Sequence, residues 1–256
     1  MVDNLICALR GQTVLPSQII IVDSSAKREA FEDLKGSDVR IVPYPDEPFN
    51  YSKAINLGIA ANQCEYTLVI SSHMSIEDPA LIERGMAISA QFGIEAMTWV
   101  GLPQEVNSES HVIIDRKSFN GKNGLSNSMS MVRTDLYIER PYREEVFSAE
   151  DQEWTSWYLK KMNGKILRLA TPHFHYRNPF HSGDQFSELK VFNEELSLGH
   201  FVRRRFIYPD RILVRALRGV LALSRGRYAR ARMHFGFAWA MTKANFVRPV
   251  VRSSYF

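Results

Sequence analysis

Residues 18–25 read Gln18-Ile19-Ile20-Ile21-Val22-Asp23-Ser24-Ser25. Four β-branched apolar residues in a row, closed by an acid and two serines, predict a strand covered on both faces, as in parallel sheets. Upstream, residues 4–11 have the spacing of a short helix, and Pro16 ends the connection to the strand. Downstream the alternation continues. Helices are expected over 27–35, 51–63 and 78–92, and strands over 39–42, 65–70 and 96–100. Strands alternating with helices at this pace imply an α/β fold with a mostly parallel sheet flanked by helices. In such sheets ligands bind at the carboxyl ends of the strands, where Asp23 and Ser71-Ser72-His73 fall.

The middle of the chain reads differently. Residues 104–128 are polar and rich in Gly, Asn and Ser, as expected of a loop bordering a site. Ser148 is the expected cap of a helix with Trp154, Trp157, Tyr158 and Met162 on its apolar face, and Gly164 is its expected stop. A last strand is expected over 165–169.

Composition sets limits. With 45% apolar and 23% charged residues over 256 positions, wholesale disorder is excluded. No charge-free apolar run approaches the roughly 20 residues of a membrane-spanning helix, and no signal-peptide pattern opens the chain. Cys7 and Cys64 lie in apolar segments without metal or redox spacing, and read as buried thiols of a reducing compartment. The net charge of +4 is uneven. Residues 200–256 hold 13 Lys and Arg against one acid, a balance of +12, which leaves −8 for residues 1–199. The chain therefore divides into an acidic body, 1–199, and a basic helical tail, 200–256. In the tail, Arg211, Arg215, Arg218 and Arg225 fall within roughly one quarter of a helical wheel. Leu213, Leu217, Val220 and Leu221 occupy the other side. Such a helix suits an anionic membrane surface, or it packs its apolar face on the body. No nucleic-acid recognition motif is present, so no nucleic acid is expected as partner.

Five clusters carry chemistry. Asp23 at a strand end can accept the imide N–H of a uracil or thymine ring, with the Ser25 hydroxyl serving ribose or base; it can equally be a turn residue. Lys53 would stand in the first turn of a helix capped by Ser52, where a cation opposes the macrodipole unless it faces a diphosphate. Asn56 shares that edge. Ser71, Ser72 and His73 end another strand, and imidazole there suits transition metals better than Mg²⁺. Glu150 and Asp151 stand in a helical first turn, either as a capping box with Ser148 or as a catalytic pair whose base is ionised. His173 and His175 point the same way if extended. With His73 they could form a three-imidazole metal site, or they could bind the diphosphate directly.

Taken together and in this order, these motifs resemble glycosyltransferase family 2, the inverting GT-A enzymes, over residues 4–195. Gln12 with Ile19–Ser25, Lys53–Gly58, Glu65–His73 and Ala149-Glu150-Asp151 match successive motifs of the family. A bacterial rhamnosyltransferase-like branch is similar in often carrying Ser-Ala-His in place of Asp-x-Asp, and a His-x-His after the last strand, where this sequence has Ser71-Ser72-His73 and His173-Phe174-His175. The resemblance implies a GT-A, Rossmann-like fold and a hexosyltransferase activity. It would move sugar from a nucleotide-diphosphate sugar to a hydroxyl of a saccharide or lipid-linked acceptor in bacterial surface polysaccharide synthesis. Asp151 would be the base and Glu150 its positioning partner. Asp23, Ser25, Lys53, Asn56, Ser71 and His73 would hold the donor, and His73, His173 and His175 a divalent cation, Mn or Mg. The implied location is cytoplasmic, peripheral on the inner face of the cell membrane. Two departures stand out. The Asp-x-Asp carboxylates are absent, and the layout begins at the helix after the first family strand: either the chain is an N-terminally shortened version of a longer protein, or the strand is missing, in which case impaired donor binding and an unfilled slot in the sheet are expected. A degenerate, non-catalytic binding module is the alternative.

Overall fold

The computed structural model describes residues 2–25, 38–103, 108–176, 188–203 and 209–247. The helix expected over 27–35 lies outside them. In chain order the elements are α1 (Val2–Arg10), β1 (Ile19–Asp23), β2 (Val39–Pro43), α2 (Tyr51–Ala61), β3 (Tyr66–Ile70), β4 (Met74–Ile76), α3 (Leu81–Phe92), β5 (Ala96–Gly101), β6 (Ser110–Ile114), β7 (Met129–Arg133), α4 (Thr134–Glu139), α5 (Glu150–Lys161), β8 (Ile166–Thr171) and β9 (Phe174–Tyr176). There follow α6 (Glu188–Ser197), a π-helical turn (Leu198–Arg203), α7 (Pro209–Ser224) and α8 (Tyr228–Ala244).

The architecture is α/β with a mixed sheet. β1 and β2 pair in parallel. A five-stranded sheet follows the order β3-β7-β5-β8-β6, in which β3, β5 and β8 share one direction while β7 and β6 run against them. The short strands β4 and β9 form a separate antiparallel pair. The strands thus fall into separate hydrogen-bonded groups. Among the described residues, β1 and β2 pair only with each other, and β3 pairs only with β7. Side chains join what the backbones do not: Ile19 and Val39 share one core with Met97, Trp99, Leu167 and Leu169. The alternate residues Ala96 and Ile166 face a second core with Trp154, Tyr158 and Leu159 of α5, as the two-residue period of a strand requires.

Several local expectations shift. Strand β6 forms inside the stretch read as loop, as an edge strand against β8. Asn50, not Ser52, caps α2, its Oδ1 accepting the Lys53 N–H at 3.0 Å. Cys7 is exposed and Cys64 half-buried, both free thiols rather than buried ones. Met162 is exposed rather than on a buried face.

The C-terminal helices attach to the body through a third core, in which Leu196, Met241 and Ala244 pack with Phe147. The expected boundary at 199/200 falls inside the π-helical turn. Helix α7 has the expected amphipathic pattern, but its packing face is the small and basic one. Gly219 and Ala222 are buried, and the Arg215 guanidinium lies 4.6 Å above the Phe237 ring of α8. The apolar side points outward, with Leu213 and Leu217 each 59% exposed and Val220 56% exposed.

Gly85, in the middle of α3, faces the Trp99 indole, and a Cβ there would overlap the ring. Alanine would favour the helix by about 1 kcal/mol. Overpacking against a side chain 1% exposed costs about 1–3 kcal/mol and dominates. Gly85→Ala is therefore expected to lower the melting temperature in a thermal unfolding experiment; an increase would mean that Trp99 yields.

Candidate active site

Of the residues singled out in the sequence, Ser71, Glu150 and Asp151 meet at Asn127. Helix α5 begins at Glu150, directly after Ala149, whose φ of 55° puts a non-glycine residue in the left-handed region. Such conformations are uncommon and cluster at functional sites. The capping box expected of Ser148 and Asp151 does not form. Ala149 is the cap residue and makes no side-chain cap bond, while the Ser148 carbonyl accepts the Ser197 hydroxyl of α6.

The two carboxyl groups turn instead to Asn127. Its side-chain Nδ2 donates to Glu150 Oε1 at 2.8 Å, and its backbone N–H donates to Asp151 Oδ2 at 3.3 Å. Asp151 Oδ1 accepts the Gln152 N–H at 2.7 Å. Behind them, Tyr142 donates to Asn127 Oδ1 at 3.1 Å, and Tyr137 lies 3.2 Å from the Tyr142 hydroxyl. Glu150 is buried, with Oε2 unpartnered, whereas Asp151 is half-buried. Burial raises the proton affinity of both groups, and for Glu150 the neighbouring Asp151 charge adds to the rise. Two N–H donors favour the negative charge on Asp151, and the unpartnered oxygen favours the neutral form of Glu150.

The strand ends join this turn. Ser71 Oγ, at the end of β3, donates to the Asn127 carbonyl at 2.9 Å and lies 3.3 Å from the Tyr51 hydroxyl at the start of α2. The neighbouring cap residue Asn50 donates its N–H to the Tyr44 hydroxyl at 2.9 Å, and Tyr44 N–H donates to the Asp23 carbonyl at 2.8 Å. A hydrogen-bonded path therefore runs from Asp23 to Asp151. Asp23 is buried, its Oδ1 accepting the Ser25 N–H at 2.8 Å, and Ser25 is exposed. Lys53 pairs with Glu47 at 2.5 Å, which raises its pKa. Asn56 is a backbone clamp, donating to the Tyr142 carbonyl at 2.8 Å and accepting the Tyr142 N–H at 2.9 Å. Its amide is committed to Tyr142 and does not share the Lys53 edge as a ligand.

The three histidines do not gather. Among the described residues, the group that could hold a metal ion is Asp78, Glu109 and His173, with ligand atoms within 4.8 Å of one another. His175 stands apart, its Nε2 3.4 Å from Glu77, and His73 lies half-buried in the turn between β3 and β4. Among the described residues, neither the end of β3 nor the group of Asp78, Glu109 and His173 offers a ready set of ligands for a divalent cation. At the end of β3 the donors are hydroxyls and one imidazole, and Ser71 is already engaged. In the other group, Arg84 pairs with Asp78 and lies 2.9 Å from Glu109, so a guanidinium already neutralises both acids.

A cavity of about 530 Å³ opens beside the Asn127 turn, walled in part by Ser126, Ser128 and Gln152. Gln152 fixes that wall, accepting the Gly124 N–H at 3.0 Å and donating to the Leu125 carbonyl at 2.6 Å. Tyr137, Tyr142 and Gln152 were not nominated by the sequence. Their roles depend on tertiary contacts, and no motif spacing signals them.

No protein-family model matches the chain, and no curated protein sequence matches it. Solved structures do. The chain is similar to residues 1–349 of TarS from S. aureus in complex with UDP (TM-score 0.57, 16% identity, covering 94% of this chain and 86% of that one). It is similar to the same protein in complex with UDP-GlcNAc (TM-score 0.55, 15% identity, 96% and 88% covered). It also resembles the mannosyltransferase PcManGT from Pyrobaculum calidifontis in complex with GDP-Man and Mn²⁺ (TM-score 0.57, 13% identity, 94% and 67% covered). At these identities the likeness is one of fold, and the fold is that of the GT-A glycosyltransferases.

Asn127→Ala removes the amide donor that holds down the proton affinity of Glu150 and keeps the backbone N–H that Asp151 accepts. The carboxyl titration, followed by infrared difference spectroscopy, is expected to lie above the ordinary range of about 4 in the wild type and to move further up in the variant. A downward shift would contradict the assigned network.

Proposed function

We propose that the protein is an inverting glycosyltransferase that moves a sugar from a nucleotide-diphosphate sugar to a hydroxyl of a saccharide or lipid-linked acceptor in bacterial surface polysaccharide synthesis. The observation that carries this reading is the joining of the strand-end residue Ser71 to the acid pair through the single residue Asn127, in a GT-A fold. TarS has been solved with UDP and UDP-GlcNAc, and PcManGT with GDP-Man, which supports a sugar nucleotide as the donor class.

Asp151 takes the proton of the acceptor hydroxyl as its oxygen attacks the anomeric carbon. The bond from that carbon to the diphosphate oxygen breaks with inversion, and the nucleoside diphosphate leaves with the electron pair. A base must be ionised at working pH and within reach of its proton. Asp151, half-buried and supplied with two N–H donors, meets the first condition and is open to a substrate for the second. Glu150 acts through Asn127, which it holds in place, and so is a positioning residue. Lys53 exchanges Glu47 for the departing diphosphate, whose charge it stabilises. Asp23 and Ser25 read the base and ribose, and Ser71 and His73 line the diphosphate edge. Asn56 contributes by fixing the backbone of Tyr142. Each of these steps is carried by residues of the chain, and none is routed through a metal ion.

The proposal extends to the membrane. No helix among the described residues is long and apolar enough to cross one. Helix α7 instead turns Leu213, Leu217, Val220 and Leu221 outward, next to a tail with a charge balance of +12. An exposed apolar stripe with basic flanks suits the headgroup region of an anionic bilayer. It would hold the protein on the inner, cytoplasmic face, where lipid-linked acceptors are met.

Two measurements test these readings. Asp151→Asn is expected to reduce transfer by about 10²–10⁴-fold while leaving sugar-nucleotide affinity, read by calorimetry, nearly intact. A loss smaller than tenfold would remove Asp151 as the base, and donor binding without turnover in the wild type would favour the binding module. The second is co-sedimentation with phosphatidylglycerol vesicles at low salt. The wild type is expected to sediment with them and Leu217→Glu/Leu221→Glu to remain in solution. Equal sedimentation of the two, or concentration-dependent dimerisation through α7 in place of vesicle binding, would refute the docking.

A further inference from the structure

The wall of the cavity beside the acid turn contains Arg168, in the middle of β8. The paired arginines of the body show what is usual here. Arg10, Arg84, Arg133, Arg140 and Arg143 each hold a carboxylate. Arg168 holds none among the described residues. Its partners in register are Thr98 on β5 and Val112 on β6, neither of which is charged. The Thr98 hydroxyl is already engaged, donating to the Met129 carbonyl at 2.9 Å and accepting the Ser126 N–H at 3.1 Å. Lys122, the other cation of the cavity wall, is neutralised by Glu194 and Glu195.

Arg168 is half-buried, and burial alone pushes its proton affinity down, with no acid to offset the effect. A guanidinium held away from bulk water without an anion is unfavourable, and its planar fork matches carboxylate and phosphate oxygens in pairs. It borders the same cavity as Ser126, Ser128 and Gln152, which flank the Asn127–Asp151 contact.

We propose that this cavity receives the acceptor and that Arg168 binds an anionic group on it, a carboxylate or a phosphate. The inference rests on the glycosyltransferase reading and specifies its acceptor class: a uronic acid or a phosphorylated saccharide in preference to a neutral sugar.

The test is a ligand-observed NMR titration of the full chain with methyl glucuronide, glucose 6-phosphate and the neutral methyl glucoside. Arg168→Gln and Arg168→Met are compared with the exposed control Arg116→Gln, each checked for folding by circular dichroism. A charged hydrogen bond gained in a cavity corresponds to about tenfold in affinity. The wild type and Arg116→Gln are expected to prefer at least one charged glycoside over the neutral one by that factor, and both Arg168 variants to lose the preference. The glucuronide and phosphate arms tell which anion is taken. Equal binding of charged and neutral glycosides, or a preference that survives both Arg168 variants, overturns the proposal. A parallel thermal-shift screen of sugar nucleotides separates the two readings. Stabilisation by a sugar nucleotide without charge preference leaves the transferase standing and removes the anion site. Charge preference without any nucleotide response does the reverse.

Discussion

A carboxyl group placed in a protein interior without a cation needs either a proton or several hydrogen-bond donors. Glu150 and Asp151 are adjacent at the start of a helix and share one donor residue, Asn127, which gives its amide to the first and its backbone N–H to the second, while Gln152 adds its N–H to Asp151. Much of the surrounding structure serves to keep Asn127 in place. Tyr142 holds its side-chain oxygen, Ser71 holds its carbonyl, and Asn56 clamps the backbone of Tyr142 from α2. The left-handed Ala149 fits the same pattern: the chain adopts an unfavoured conformation so that the first turn of α5 presents both acids to one turn of the opposite wall.

This arrangement also separates the chemistry of two residues of one type. Asp151 receives two N–H donors and is half-buried, while Glu150 is buried with one oxygen unpartnered among the described residues. Environment rather than side-chain identity decides which of the pair is charged. The C-terminal helices are part of this environment. Ser197 of α6 bonds the Ser148 carbonyl and Phe147 packs with Leu196 and Met241, so the turn that carries the acids is held from the tail as well as from the sheet.

The alternation of strands and helices was legible from branched apolar runs such as Ile19–Val22, because a buried strand has few other uses for that composition. Strand β6 was not, because Ser110-His111-Val112 faces solvent on an edge and sits between polar segments. The caps were misplaced for a related reason: Ser52 and Ser148 have suitable side chains, but the helices start after Asn50, two residues before Ser52, and after Ala149, one residue past Ser148. Site residues carried by local motifs, Asp23, Ser71 and the acid pair, could be nominated from sequence. Asn56 could not be told from a ligand, and Tyr142 could not be found, because both roles exist only once α2 meets the segment before α5. The histidines follow different strands in sequence, and their spacing does not tell that His173 stands beside Asp78 and Glu109. For α7 the amphipathic pattern was clear, but a pattern does not say which face is covered; here glycine and alanine allow close approach to α8 and the leucines are left outside.

The division of the strands into separate hydrogen-bonded groups has a consequence for cooperativity. Among the described residues no ladder joins β1–β2 to the five-stranded sheet, and the link runs through core side chains and the Tyr44–Asn50 contact. Opening the β1–β2 unit therefore breaks packing but no inter-strand rung of the larger sheet. Units of that kind exchange their amide hydrogens independently of the rest of a domain. The β1–β2 pair, which carries Asp23, can thus lose its own ladder without breaking a rung of the sheet that borders Asp151.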